Sequence, residues 1–178
     1  MPASLLTDYG QALEALKSAG AVIHLANIPA PGVCTAAVMF NANMTMNFDV
    51  FHAAASLGLS RVVWASSETT LGLPFGVGPG EMPFLEAEGP PPRYAPVDED
   101  HYPVPTVTYA LSKVARETVA ANIARWSEIP FVALRFSNIM VPGDYQEFPS
   151  TWPDPRAQVE PVGLRGRPGR GGGVPAGA

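Results

Sequence analysis

The residues best suited to chemistry in this sequence are Tyr109 and Lys113, which form a Tyr-x-x-x-Lys pair. Residues four apart on a helix lie on the same face, so this spacing holds a phenol beside an ammonium group. A free tyrosine has a pKa near 10, and lowering it to about 7 requires about 4 kcal/mol of stabilisation of the phenolate. One lysine at close range supplies on the order of 4 kcal/mol at an effective dielectric of about 20. The pair can therefore act as a general acid/base, while the alternative is an exposed helical pair that occurs by chance.

Three apolar runs predict the strands that must position this pair. Nearly continuous apolar residues suit strands covered on both faces in a parallel sheet. The order of helices and strands predicts an α/β fold whose parallel strands are joined by right-handed crossovers, as in part of a doubly wound sheet. The predicted strands are 21–26, 61–65 and 131–136, and the predicted helices are 7–19, 35–56 and 106–127.

Residues 73–105 interrupt this alternation with nine prolines and six acidic residues. That composition predicts a long surface loop. The helices on either side have apolar residues at helical spacing, which predict their buried faces. These residues are Phe40, Met44, Phe48, Phe51 and Ala55 in the second helix, and Leu111, Val114, Ala115, Val119 and Ile123 in the third.

Composition predicts one soluble globular domain, with 178 residues, 47% hydrophobic and 15% charged. A net charge of −5 argues against nucleic acid as a partner. The single cysteine, Cys34, excludes a disulfide framework and a zinc cluster, and no acidic run has the spacing of metal ligands. No signal peptide and no apolar run long enough to span a membrane are recognised, so the expected location is the cytoplasm.

Polar residues follow the predicted strands at their carboxyl ends, where ligands bind in such sheets. Ser66 and Ser67 end the second strand, and Ser137 and Asn138 follow the third. Ser67 should lie beside the start of the Tyr109 helix, where a hydroxyl donor completes a device for moving a proton to or from a substrate oxygen. His24, inside an apolar strand, is interpreted as a core residue rather than a catalyst.

These motifs, in this order, resemble the extended short-chain dehydrogenase/reductase family, and more narrowly its NAD-dependent epimerase/dehydratase branch. The resemblance runs from about residue 6 to about residue 158. It is carried by His24-Leu25-Ala26, Asn43, Ser66-Ser67 followed by Gly72, Tyr109-x-x-x-Lys113 and Leu134-Arg135-Phe136-Ser137-Asn138.

The resemblance implies an NAD(P)-binding Rossmann fold and assigns roles to individual residues. Tyr109 is the catalytic acid/base, and Lys113 lowers its pKa and binds the ribose. Ser67 polarises the substrate oxygen, and Asn138 matches a position on the substrate side. The positions that line the cofactor are Leu25, Ala26, Asn43, Tyr109, Lys113 and Ser137.

The implied reaction is NAD- or NADP-dependent oxidation, reduction or epimerisation at a carbinol carbon, of a sugar nucleotide or a related small molecule. A simple carbonyl reductase or sugar-acid dehydrogenase is the alternative among enzymes. The family's Gly-x-x-Gly-x-x-Gly turn, which holds the cofactor pyrophosphate, is not found before Leu25. We therefore expect residues 1–158 to form a partial Rossmann domain that lacks its first βαβ unit, and a non-catalytic remnant that binds no cofactor is the second alternative. A homodimer or other self-association is expected from the family.

Residues 159–178 consist largely of Gly, Arg and Pro and are predicted to be disordered. The family continues at this point with an apolar segment and a Tyr-x-Asp-x-Arg-Asp-Val motif. Codons can be chosen for this tail that, read one base later, encode WNLWGYVDARDVAEACRRA, which contains that motif. The tail is therefore interpreted as the product of a shifted reading frame.

Overall fold

A parallel sheet of three strands carries the candidate site in the computed structural model, which describes residues 7–29, 33–72, 86–87, 89–137, 139 and 143. The strands are β1 (Val22–His24), β2 (Val62–Ser67) and β3 (Phe131–Phe136), in the order β1-β2-β3. Val62 pairs with Val22 on one side and with Phe131 on the other. The predicted α/β class with parallel strands is confirmed, and the predicted limits of β3 are those observed.

Three helices alternate with these strands: α1 (Tyr9–Leu16), α2 (Ala36–Ser56) and α3 (Thr108–Ser127). Two of them begin at a side-chain cap, which satisfies an amide that has no partner inside the helix. The Asp8 carboxylate accepts from the Gln11 amide at 3.0 Å, and the Thr35 hydroxyl accepts from the Val38 amide at 3.4 Å. Each cap explains why the helix begins a residue or two after the predicted start.

The hydrophobic core lies between one face of the sheet and the helices. Phe51 of α2 is at its centre, with its ring centroid 5.3 Å from that of Trp64 and 5.4 Å from that of Phe131. Ala12 of α1 and Ile123 of α3 are buried in the same cluster. All three helices therefore pack on the sheet face that carries Trp64.

The other face of the sheet carries a row of apolar residues, because side chains alternate along a strand. Ile23, Val63 and Val132 pair across the three strands in this row. Ile23 is 73% exposed and Val132 is 38% exposed. Within the described ranges, no helix packs over this row.

The described residues of the predicted loop, 86–87 and 89–105, contain no helix or strand, in agreement with its proline content. The chain divides into two compact units, one formed by residues 1–90 and 103–137 and the other including residues 91–102. Inside the second unit, the Tyr94 hydroxyl donates to Asp98 at 2.6 Å and the Arg93 amide donates to the His101 ring at 3.2 Å. The boundary predicted at residue 158 and the whole tail of 159–178 lie outside the described residues.

Candidate active site

Helix α3 begins one residue before Tyr109, and a distant carboxylate fixes this start. The residue before the helix, Val107, has no side chain that can cap it. Glu86 fills this role, because its Oε1 accepts from the Thr108 amide at 3.1 Å and from the Thr108 hydroxyl at 2.6 Å. A carboxylate also interacts favourably with the positive end of the helix dipole. Glu86 therefore helps to position the turn that carries Tyr109.

Tyr109 and Lys113 lie together on this helix, as their spacing predicts. The Lys113 ammonium group is 5.3 Å from the centre of the Tyr109 ring. Lys113 is only 2% exposed, and its Nζ donates to the Ala65 carbonyl of β2 at 2.7 Å. An ammonium group has three hydrogens, so two remain for other acceptors.

Ser67 ends β2 and begins the short 3₁₀ helix Glu68–Leu71. Its Oγ accepts from the Thr69 amide at 3.2 Å and from the Thr69 hydroxyl at 2.9 Å. The 3₁₀ helix ends at Gly72, whose φ of 94° is a backbone conformation that favours glycine. The Ser67 side chain also interacts with Tyr109 in the direction that lowers the tyrosine pKa and so favours the phenolate. The structure thus brings Ser67, Tyr109 and Lys113 into one cluster.

Burial dominates the proton affinities of this cluster. It raises the pKa of Tyr109 above its usual value of 10, although the charge of Arg116 and the Ser67 side chain act in the opposite direction. The structure therefore differs from the sequence-based expectation of a lowered tyrosine pKa. Burial and the nearby Arg116 lower the pKa of Lys113 to about 7, so this amine is only partly protonated at neutral pH.

The loop after β1 contains two of the predicted cofactor positions, Leu25 and Ala26. Leu25 is 59% exposed and Ala26 is half-buried. Asn43 of α2 is fully buried, and its amide group binds the backbone of Ile28, accepting from the nitrogen at 2.8 Å and donating to the oxygen at 3.2 Å. Asn43 therefore holds the loop in place and has no surface free for a ligand.

The predicted positions after β3 are only partly described. Ser137 is exposed directly after the strand, and Asn138 lies outside the described residues. Ser67 ends β2 and Ser137 follows β3, and the two lie at the same edge of the sheet because Ser67 pairs with Phe136. The carboxyl edge of the sheet is therefore the edge at which the described candidate residues meet.

Sequence reasoning missed three charged residues, Arg116, Glu117 and Arg135, that are buried or half-buried. The Glu117 carboxylate accepts from Ser66 at 2.5 Å and binds Arg135 through both oxygens, at 3.0 and 2.8 Å. Arg116 is 1% exposed. Spacing in the sequence could have indicated Arg116 and Glu117, since residues seven and eight positions after Tyr109 return to its face of the helix.

His24 is buried, as predicted for a core residue. Its ring packs edge-on against Phe51, with centroids 6.1 Å apart. Burial and the charges of Arg116 and Lys113 lower its pKa to about 4, so it is neutral at physiological pH. This agrees with a structural role.

Comparison with known proteins assigns the chain to a family. The model of the NAD dependent epimerase/dehydratase family matches residues 4–154. The chain belongs to this family. The resemblance inferred from the motifs is therefore confirmed, and so is the Rossmann-type fold, which the solved structures share.

Three individual relatives share about a quarter of their aligned residues with this chain. An NAD-dependent glucose-6-phosphate dehydrogenase of Haloferax volcanii is 26% identical over 155 residues, which cover 83% of this chain and 55% of that protein. A short-chain dehydrogenase/reductase superfamily protein from Agrobacterium tumefaciens, solved with bound NAD, is 27% identical with a TM-score of 0.60, covering 75% of this chain and 36% of that one. A UDP-galactose 4-epimerase structure is 26% identical with a TM-score of 0.60, covering 78% and 41%. The chain thus spans about half the length of the curated relative and less of the solved structures.

The described residues at the carboxyl edge fit the nicotinamide–ribose half of NAD(P). Leu25 offers exposed apolar surface there, and Lys113 in its protonated form has two donor hydrogens beyond the one given to Ala65, which could bind ribose hydroxyls. The glycine spacing of the pyrophosphate-binding turn occurs in this sequence at Gly163, Gly166 and Gly169, in the tail outside the described residues. No apolar run precedes these glycines in the sequence, so they lack the context that this motif requires.

The described ranges hold neither a cluster of metal-binding side chains nor a membrane-spanning helix. They contain no group of three or more His, Cys, Asp or Glu residues that could hold a metal ion. None of their helices is long and apolar enough to cross a membrane.

Proposed function

We propose that this chain is part of an NAD-dependent oxidoreductase that acts at a carbinol or carbonyl carbon of a sugar nucleotide or sugar phosphate, as an epimerase/dehydratase or dehydrogenase. The observation that carries the proposal is the cluster of Ser67, Tyr109 and Lys113 at the carboxyl edge of a parallel sheet. The substrate class follows from the names of relatives, which include a UDP-galactose 4-epimerase and a glucose-6-phosphate dehydrogenase. NAD is preferred to NADP because NAD is the cofactor named for the relatives at 26–27% identity.

The protein's own groups divide the chemistry between them. Ser67 donates a hydrogen bond to the substrate oxygen, while Thr69 holds the Ser67 hydroxyl in position. Tyr109 moves the proton between that oxygen and the site, and its high pKa makes it an acid in the resting site. Lys113 would hold the nicotinamide ribose, and Leu25 and Ser137 would line the nicotinamide side. When bound, NAD supplies the hydride acceptor.

A lysine whose pKa is about 7 gives this site a specific pH dependence. Protonation of Lys113 places a positive charge beside Tyr109, which favours the phenolate and so favours removal of a proton from substrate. We therefore expect oxidation to require the charged amine.

Binding of the cofactor by the chain is tested by thermal unfolding with increasing NAD. At a hundred times Kd, NAD should stabilise the protein by about 2.7 kcal/mol, which raises Tm by roughly 5–10 °C. Absence of any shift with NAD and with NADP would refute the proposal and favour a remnant that binds no cofactor.

The role of Tyr109 is tested by Tyr109→Phe, assayed with UDP-galactose and with glucose 6-phosphate as probe substrates. We expect turnover to be lost while the NAD-induced stabilisation is kept, since only the phenol oxygen handles the proton. Tyr102→Phe is the matched control, because Tyr102 is 64% exposed. Substantial turnover by Tyr109→Phe would refute this assignment.

We also propose that the chain forms a homodimer through the outer surface of α2 and α3. Phe48 is 47% exposed and Trp126 is 58% exposed, and both rings pack against His52, with centroids at 5.5 and 6.0 Å. Such an aromatic patch is typical of an interface. Sedimentation at micromolar concentration should show a dimer that Phe48→Lys weakens. A monomeric wild-type chain would contradict the proposal.

A further inference from the structure

Arg116 is a buried cation that the proposed chemistry leaves without a role. Its Nε donates to the Ser112 carbonyl at 2.9 Å, and its Nη1 donates to Oδ1 of Asn27 at 2.5 Å. The guanidinium carbon also lies 6.0 Å from the Trp64 ring. These hydrogen bonds go to neutral oxygens, so they offset only part of the cost of burying the charge.

The contacts of Arg116 lead to the loop after β1. Asn27, which accepts from Arg116, donates its Nδ2 to the Ile28 carbonyl at 2.6 Å. The same Ile28 is held from the other side by Asn43 of α2. The loop is therefore clamped between two helices, and Arg116 supplies the clamp from α3.

Arg116 also lies on the face of α3 that carries the candidate catalytic pair. Tyr109, Lys113 and Arg116 are spaced at i, i+4 and i+7, which places them along one stripe. Ser112 links the ends of the stripe, donating to the Tyr109 carbonyl at 2.7 Å and accepting from Arg116 at 3.3 Å.

We propose that Arg116 is a positioning residue of the proposed active site: it fixes loop 25–28 against α3 through Asn27 and places a permanent positive charge behind Tyr109 and Lys113. This inference rests on the proposed function and extends it to a residue outside the Ser-Tyr-Lys cluster. The proposal applies to Arg116 and not to Arg125 of the same helix, because Arg125 is exposed.

The charges around Arg116 agree with this role. The charge of Arg116 opposes the burial that raises the pKa of Tyr109, and it adds to the burial that lowers the pKa of Lys113 and of His24. Glu117 is the opposing group on the same helix, because it raises the pKa of Lys113 and of Arg116. With its own pKa lowered to about 10, mainly by burial, Arg116 stays charged at neutral pH.

The electrostatic part is tested by NMR titration of ¹³C-labelled lysine. The chain has two lysines, so exposed Lys17 is an internal reference for Lys113. Arg116→Met should increase the proton affinity of Lys113 about tenfold, and Arg116→Gln, which keeps an amide donor but carries no charge, should increase it to a similar extent. Arg125→Met is the matched control and should change neither lysine. An equal response of Lys113 to the two methionine substitutions would overturn the proposal.

The positioning part is tested by hydrogen exchange at the Ile28 amide. Asn27→Ala and Arg116→Met should each accelerate exchange, and the double variant should add nothing further, because both remove the same link. Additive effects, or unchanged exchange in Asn27→Ala, would refute the link.

Two features keep this test decisive. If Arg116→Met does not fold, Arg116→Gln and Asn27→Ala carry the two readouts, since the first removes the charge and keeps a donor, while the second removes the link and keeps the arginine. Neither readout requires cofactor or turnover. A chain that fails to bind NAD would refute the proposed function, while the lysine titration and the exchange rates would still decide the role of Arg116.

Discussion

Replacing Lys113 with methionine should stabilise this protein while removing a group that the proposed reaction needs. Lys113 is almost fully buried, and its pKa falls from 10.5 to about 7. At pH 7 that difference corresponds to about 4 kcal/mol of folding free energy, because the unfolded chain gains a full proton that the folded chain holds only in part. Methionine has a similar length and no charge, so Lys113→Met removes this cost.

The substitution also removes a hydrogen bond. The Ala65 carbonyl, which accepts from Lys113 at 2.7 Å, loses its side-chain partner, and an unsatisfied buried acceptor costs about 1–3 kcal/mol. The expected net stabilisation is therefore about 1–3 kcal/mol, which raises Tm by roughly 2–12 °C.

The pH dependence separates this explanation from better packing alone. A lysine whose folded pKa is lowered binds more protons in the unfolded state between that pKa and 10.5, so wild-type stability should rise from about pH 7 to about pH 9. Urea unfolding at the two pH values should show this rise in wild type and in Lys17→Met, whose lysine is exposed, but not in Lys113→Met. A Lys113→Met variant that is less stable than wild type, or that keeps the full rise, would refute the reasoning.

Three further predictions concern other parts of the chain. Glu117→Gln should lower the free energy of unfolding by about 2–3 kcal/mol, because it weakens the bonds to Ser66 and Arg135. The exposed control Glu14→Gln should change it by less than about 0.5 kcal/mol. Equal losses for the two variants in urea unfolding would contradict this prediction. His24 has a folded pKa of about 4, so wild-type stability should fall by up to about 3 kcal/mol as the pH drops from 6.5 to 4. His24→Leu should remove most of this fall when the free energy of unfolding is measured against pH. The same fall in wild type and in the variant would argue against the prediction. The DNA for residues 159–178, read one base later, should encode Tyr-x-Asp-x-Arg-Asp-Val, and an early stop codon in that frame would disprove the shifted reading.

The elements of this fold were predictable from sequence because each strand is a dense apolar run. The limits of β3 were predicted without error, and α2 was predicted to within its Thr35 cap. The Tyr109–Lys113 pair and its meeting with Ser67 followed from spacing and from the topology of parallel sheets.

The buried faces of the helices were less predictable. Phe48 and Leu111 were expected to be buried, but they are 47% and 48% exposed. Buried instead are polar residues such as Asn43, which binds the backbone of Ile28, and Arg116, which binds Asn27. Apolar periodicity cannot find such residues, because their burial depends on partners from distant parts of the chain.

The pKa of Tyr109 was mispredicted for a related reason. The spacing to Lys113 correctly indicated a nearby amine. It could not indicate how deeply both groups are buried, and burial raises the pKa of the phenol and lowers that of the amine.

The parallel pairing of β2 with β3 has a consequence for how this chain folds. Val62 and Phe131 are neighbours in the sheet but about 70 residues apart in sequence, and contacts of such long range form slowly. The pairing of β1 with β2 spans about 40 residues, so it closes a shorter loop and should form earlier. We therefore expect docking of β3 to be a late step, and until it occurs the edge of β2 next to Ser67 would be open to pairing with other chains. On this expectation, the part of the described sheet that carries the candidate active site is completed last.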